Sequence, residues 1–283
     1  MMPLGRVESL HVYPVKGLRG VSLASTGVAR HGVEGDRRWL VTDADGRFLS
    51  QRELPGMARI AAHIEPGGLS LHHGDSTCTV AVPAAGAPRM AVEIWRDRLS
   101  VVRADAAAEA WLSAVLARPC RLVHLDDPTL RPIDPDFAEP GDHVGFSDGY
   151  PLLATSHASL SALNTALADA VGMDRFRPSV TISGLPPWSE DDWTAGGGRL
   201  LRIGTMLFRA PKPCTRCVVI TRDQLTGDTP HPGEPLRTLG RLNRHPSGIV
   251  FGANLIPTAP GHLAVGDSVE LLAGGGPAGD VDA

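Results

Sequence analysis

The chain has 283 residues, 42% of them hydrophobic and 20% charged. That composition suits a globular protein of one large domain or two small ones with a buried core. With 27 basic against 31 acidic residues, a net charge of −4, the overall balance gives no electrostatic reason to expect nucleic acid or an anionic membrane as partner.

No run reaches the roughly 18 apolar residues of a transmembrane helix. The opening Met1-Met2-Pro3-Leu4-Gly5-Arg6 lacks the apolar core of a signal peptide. Cys78, Cys120, Cys214 and Cys217 are too few for a disulfide framework in a chain this long, so a reducing cytoplasm is the expected location. Gly and Pro, 32 and 24 residues, interrupt the chain often and favour short strands over long helices.

The first 100 residues read as β. Val7–Val12 alternates towards Tyr13-Pro14. The runs 38–42 and 47–50 flank Asp43-Ala44-Asp45-Gly46, a hairpin turn signal. Strands are expected at 60–64, 69–72, 77–82 and 91–95, in the spacing of a barrel or sandwich. No pair within this stretch is linked by a helical crossover. A helix is expected from the N-cap Asp105 to Leu116, with Trp111, Leu112, Val115 and Leu116 on one face and Pro119 ending it. Residues 125–145 are polar and Pro-rich, the candidate link between two lobes. A second helix is expected from Ser156 to about Val171, buried along Leu160, Leu163, Leu167 and Val171 and capped by Gly172. Strands follow at 180–183, 200–203, 206–210, 218–221, 249–255 and 269–272. The boundaries expected are 1–124 for an N-terminal β domain, 125–273 for a second domain and 274–283 for a disordered tail. The fold class is mainly β with a few helices, α+β in outline.

Cys214-Thr215-Arg216-Cys217 admits several readings. A structural zinc site needs four ligands, usually two such pairs, and only one pair is present. A thioredoxin-like pair opens a helix, whereas Val218-Val219-Ile220-Thr221 reads as a strand. A single functional thiolate is the third reading. Arg216 beside Cys217 would favour the anionic form, and a soft thiolate suits a redox-active metal. Two ordinary buried cysteines remain the plain alternative.

Basic residues stand among turns: Lys16 after Tyr13-Pro14-Val15, Arg37 before Trp39-Leu40-Val41, Arg52 in Ser50-Gln51-Arg52-Glu53, and Arg177 between Phe176 and Pro178. Each alone reads as a solvated charge. Several guanidinium forks together suit a phosphate-bearing ligand. Ser147 and Asp148 offer polar groups in a turn, and Asn254 places an amide in an apolar strand, where it needs a partner. The eleven histidines show no ligand spacing, and neither a dinucleotide nor a Walker loop is present.

Taken in order, Tyr13-Pro14-Val15-Lys16, Gly35-Asp36-Arg37-Arg38-Trp39-Leu40-Val41, Phe146-Ser147-Asp148, Phe176-Arg177-Pro178-Ser179, Cys214-Thr215-Arg216-Cys217, Phe251-Gly252-Ala253-Asn254 and Val265-Gly266-Asp267 span nearly the whole chain. In these segments the chain resembles MOSC-domain proteins that carry an N-terminal β-barrel domain, the group of the mitochondrial amidoxime-reducing component and the bacterial YcbX-type proteins. The resemblance implies a MOSC β-barrel plus an N-terminal β-barrel-like domain. It implies that Cys217 is the catalytic residue and the ligand of the molybdenum in a molybdopterin cofactor. It implies that Lys16, Arg37, Ser147, Asp148, Arg177, Thr215, Arg216 and Asn254 surround the pterin and its phosphate, with Arg52 in a family-like segment. Gly17 stands where the mitochondrial relatives have serine. The implied activity is reduction of small N-hydroxylated compounds by oxygen-atom transfer to molybdenum. Electrons would come from a separate flavin or iron–sulfur protein, since no Cys-x₄-Cys-x₂-Cys run is present. A monomer without nucleic-acid or membrane partner is expected. The competing reading is a carrier of the cofactor or of sulfur, without turnover of its own.

Overall fold

A computed structural model describes residues 4–197 and 199–272; the expected tail at 274–283 lies outside the described residues. The chain is mainly β and is organised around a closed seven-stranded barrel. Leu152–Ser156 pairs in parallel with Val180–Ser183, which runs antiparallel to Gly5–Val12. Gly5–Val12 then pairs with Ser268–Leu271, and Leu200–Ile203, Met206–Arg209 and Gly248–Pro257 follow, the last returning to Leu152–Ser156.

The first strand of the chain therefore completes a barrel whose other strands lie beyond residue 150. Its inward residues are Val7, Leu10 and Val12, all buried. Their odd and even positions would face opposite sides of a regular strand. The register shift between Val7 and Ser9 against Thr181 and Ile182 resets the phase. A bulge adds one residue to one strand and so returns the apolar face to the core. Inside, these side chains meet Ala154, Val180, Ile182, Leu201, Ile203, Phe208, Leu255 and Val269.

The N-terminal part adds two smaller sheets. Trp39–Thr42, Arg121–His124, Asp97–Arg103 and Arg89–Ile94 form one in that order; Ala61–Glu65, Gly68–His73 and Ser76–Ala81 form a meander. Helix α1, Ala106–Val115, lies over them with Ala108, Leu112 and Leu116 buried. Asp105 caps it as expected, its carboxylate accepting from Ala108 N at 2.7 Å.

Helix α2, His157–Thr165, starts at the expected N-cap Ser156 but ends six residues before Val171. The amide of Asn164 donates to Val171 O at 3.0 Å and accepts from Val171 N at 2.9 Å. That clamp turns the chain out of the helix, yet Leu167 and Val171 still pack with Leu160 and Leu163. Gly172 caps no α-helix; it precedes the 3₁₀ turn Met173–Phe176. Helix α2 is also the crossover joining the parallel strands Leu152–Ser156 and Val180–Ser183, a connection absent from the expected elements.

Two other expectations fail. Val218–Thr221 is a 3₁₀ turn, not a strand: Ile220 N bonds Cys217 O, Ile220 and Thr221 point inward, and Val218 is exposed. Residues 47–50 make single bridges rather than a strand. The Pro-rich stretch 125–145 packs closely, with Arg131, Ile133 and Val144 buried. No helix of the described residues is long and apolar enough to cross a membrane.

Candidate functional site

Between the small sheets and the barrel lies a cleft of about 1020 Å³. Lys16, Arg37, Ser147, Asp148, Arg177, Thr215, Arg216, Cys217 and Asn254, every residue expected at a site, line it together with Arg52.

The chain leaves the first strand at Tyr13 and is laced to the segment that follows Asp36. Arg37 N donates to Tyr13 O at 2.8 Å and Lys16 N to Trp39 O at 2.9 Å. Asp36, buried, accepts from Tyr13 N at 2.8 Å and from Arg37 Nη1 at 2.6 Å. Burial pushes the Asp36 carboxyl up; the same carboxylate holds the Arg37 guanidinium above its ordinary range although burial opposes it. Arg37 and Arg177 both adopt the left-handed backbone, φ +45° and +55°. A non-glycine residue there costs about 1–3 kcal/mol and persists only where its surroundings enforce it. Both guanidinium carbons lie over the Tyr13 ring, at 4.4 and 4.3 Å, and the Tyr13 hydroxyl donates to Pro178 O at 3.2 Å. Burial pushes the phenol up to about 12 despite the two arginines. Burial and then Arg37 bring Arg177 down to about 10.

Arg131 builds the opposite wall. Its buried side chain donates to Gly145 O at 2.6 Å, to Ser147 O, and to Asp97 Oδ2 at 2.7 Å. A Cβ on Gly145 would come within 2.9 Å of Arg37 O, so only glycine lets this loop lie against that backbone. The loop presents Asp148, which pairs with Lys16 Nζ and accepts from Trp95 Nε1 at 3.3 Å. Desolvation raises the Asp148 carboxyl, but Lys16, its hydrogen bond and Arg37 together hold it well below the usual range. Desolvation lowers Lys16 against the pull of Asp148.

The cysteine pair stands where Pro213–Thr215 pairs with Gly248–Pro257 and passes into the 3₁₀ turn. The register shifts between Pro213 and Thr215, a bulge at Cys214. Asn254 Nδ2 holds the approach by donating to Pro213 O at 3.2 Å. Arg216 serves the other cysteine than the one its sequence position suggests: its Nη1 donates to Cys214 Sγ at 2.8 Å and its Nη2 to Phe176 O. The guanidinium that reaches Cys217 belongs to Arg52, Nη2 to Sγ at 3.2 Å. Gly17, at φ +83°, lines the cleft where an added Cβ would meet Met57 Cε at 2.8 Å, so a serine there would be strained.

The lining holds nine basic residues, Lys16, Arg37, Arg52, Arg96, Arg131, Arg175, Arg177, Lys212 and Arg216, against Asp97, Asp134 and Asp148. A chain of net charge −4 thus concentrates positive charge in one place. Trp95, Arg131 and the buried pair Gln51 and Gln224 were not legible as site residues. Arg131 sits in a stretch that reads as a link, and Gln224 carries no sequence signal. Among the described residues no group of three or more His, Cys, Asp or Glu side chains converges on one point, so the cysteine pair finds no zinc partners there.

Residues 4–119 match the MOSC N-terminal beta barrel domain and residues 141–270 the MOSC domain. The chain is 30% identical over 292 residues to mitochondrial amidoxime-reducing component 1 of Homo sapiens, covering 96% of this chain and 84% of that protein. It belongs to the MOSC-domain family. Mitochondrial amidoxime reducing component 2 of Rattus norvegicus is 28% identical over 95% of this MOSC chain and 84% of its own length. Molybdenum cofactor sulfurase of Oryza sativa subsp. japonica is 30% identical over 87% of the chain, which spans 32% of that longer protein. The two family matches meet across the cleft: Lys16, Arg37 and Arg52 fall in the first and Ser147, Asp148, Arg177, Thr215, Arg216, Cys217 and Asn254 in the second.

Proposed function

We propose that this MOSC protein holds a molybdenum cofactor in the cleft and is an oxidoreductase for small N-hydroxylated compounds. The observation that carries the reading is a thiol set beside cations with unused donors. Arg177 Nη2 and Arg216 Nε are buried and find no partner among the described residues. A buried N–H without an acceptor is costly, and a phosphate-bearing anion would satisfy both. Cys217 adds the soft donor that molybdenum takes. The residues present therefore fit the group.

Cys217 would ligate the metal. Lys16, Arg37, Ser147, Asp148, Arg177, Thr215, Arg216 and Asn254 would hold the pterin and its phosphate. When bound, the group supplies the two-electron redox change. The chain supplies the rest. Arg37 and Arg177 hold positive charge against a neutral Tyr13. Asp148 is ionised at neutral pH and keeps the Lys16 ammonium in place. Trp95 and Phe48, with ring centroids 4.9 Å apart, supply an aromatic part of the cleft lining. Electrons would come from a separate flavin or iron–sulfur protein. The likeness to amidoxime-reducing components over 96% of the chain supports this reading.

Cys217→Ala is expected to abolish both molybdenum loading and reduction of an amidoxime under a chemical reductant, read by elemental and pterin analysis beside the assay. A variant with wild-type metal content and rate would overturn the proposal. The likeness to a molybdenum cofactor sulfurase favours a carrier as the second reading. A fully loaded protein that turns over no N-hydroxylated compound would decide for the carrier.

A further inference from the structure

The geometry points to Arg52 as the residue that receives the substrate's oxygen, selecting compounds that bring an anionic or strongly accepting oxygen up to the Cys217 sulfur. This inference rests on the proposed function and names what that site selects.

Of the eight other basic residues of the cleft, four are paired with carboxylates, Arg177 bonds Gln224, Arg216 bonds Cys214 Sγ and Phe176 O, and Lys212 lies over the Phe137 ring. Lys16 is paired with Asp148, Arg37 with Asp36, Arg131 with Asp97 and Arg175 with Asp223. Arg52 has no carboxylate within 4.0 Å among the described residues, and its side chain finds one partner there, Cys217 Sγ at 3.2 Å. A guanidinium carries five N–H donors in a rigid fork and no acceptor. Four donors are thus available next to the sulfur that the cofactor reading makes the metal ligand. What they can recognise is an acceptor, and the fork suits a planar, delocalised one best.

The residue is also held ready. Its guanidinium carbon lies 5.0 Å from the centre of the Trp95 ring. Trp95 is 42% exposed and sits at the turn between Arg89–Ile94 and Asp97–Arg103 in the left-handed conformation, φ +55°. Ile94 pairs with Asp97, so Trp95 and Arg96 form a two-residue hairpin turn, and the positive φ that such a turn demands at its first residue is what sets the Trp95 backbone. The indole N–H donates to Asp148 at 3.3 Å. Stacking on an aromatic face orients a guanidinium while leaving its N–H edge free. Nothing comparable holds Arg96, which lines the same cleft and whose side chain has no hydrogen-bond or carboxylate partner among the described residues.

The test has two arms. In the first, the full chain is produced in a cell that makes no molybdenum cofactor, and Cys217 alkylation by iodoacetate and by iodoacetamide is followed by peptide mass mapping. The ratio of the two rates cancels the thiolate fraction and reads the cation beside the sulfur. Arg52→Gln is expected to lower that ratio about tenfold, and Arg96→Gln less than twofold, as befits loss of one close charge. An unchanged ratio in Arg52→Gln overturns the inference and leaves the cofactor reading untouched. In the second arm, cofactor-loaded Arg52→Gln is expected to keep the wild-type molybdenum content. Its kcat/KM for a hydroxamate should fall about tenfold to a hundredfold, with Arg52→Lys between. Molybdenum lost in proportion to activity would make Arg52 a cofactor-holding residue and overturn the inference.

Discussion

The chain has two tyrosines, Tyr13 and Tyr150, and burial raises both phenols. For Tyr13 the shift is to about 12, against about 10 for a free phenol. The folded protein therefore binds that proton more tightly than the unfolded chain. The corresponding stability is fully present below pH 10 and is lost as pH rises through 12. Two pH units are worth about 2.7 kcal/mol. Absorbance at 295 nm should stay flat in the native protein at pH 10 to 11 and rise only with unfolding, whereas the chain in denaturant should show its step near 10. A native step at 10 would mean that Tyr13 is not enclosed by Arg37 and Arg177. At this scale the sequence showed which residue types gather but not which atoms touch. Arg216 adjoins Cys217 in the chain and bonds Cys214 in space, because alternate residues of an extended segment face opposite ways. Arg52 reaches Cys217 across 165 positions, a separation that no local pattern encodes.

Among the elements, alternation and capping were read well where one face meets one core. Asp105 and Ser156 each cap the helix expected of them. The failures share a cause. Val218-Val219-Ile220-Thr221 has the β-branched composition of a strand, but a local bond to Cys217 O and an exposed Val218 make it a turn. The end of α2 was hidden because Leu167 and Val171 keep their burial after the helix stops. Asn164 governs that end, and the stretch it closes leads to Phe176 and Arg177. Asn164→Ala removes both bonds to Val171 and is expected to cost about 1–3 kcal/mol, seen as a lower midpoint in urea with an unchanged slope. A midpoint equal to wild type would show that packing of Leu167 and Val171 alone sets the turn.

Across the whole molecule, the contact most worth testing is the buried reciprocal pair of Gln51 and Gln224. Each amide nitrogen donates to the other's oxygen at 3.0 Å, over 173 residues of chain. Gln51 also donates to Gly17 O at 2.8 Å, and Gln224 accepts from Arg177 at 3.2 Å. The pair thus fastens the segment carrying Arg52 to the segment following Cys217. Replacing one partner by leucine strands the other's buried polar atoms and should cost about 1–3 kcal/mol. Gln51→Leu with Gln224→Leu should cost clearly less than the sum of the singles, since no amide of the pair is then left stranded. Strict additivity would show that the two amides act separately.

The strand Gly5–Val12 is among the first parts of the described chain to leave the ribosome, and its neighbour Ser268–Leu271 is among the last. Until those final residues emerge, the barrel lacks the strand that stands between Gly5–Val12 and Leu200–Ile203, and one edge of each stays open. Joining them closes a loop of more than 250 residues, a connection of high sequence separation that folds slowly. Capture of a ligand by a cleft built on the closed barrel therefore waits until Ser268–Leu271 has emerged, and the waiting edges are what a chaperone would have to shield during synthesis.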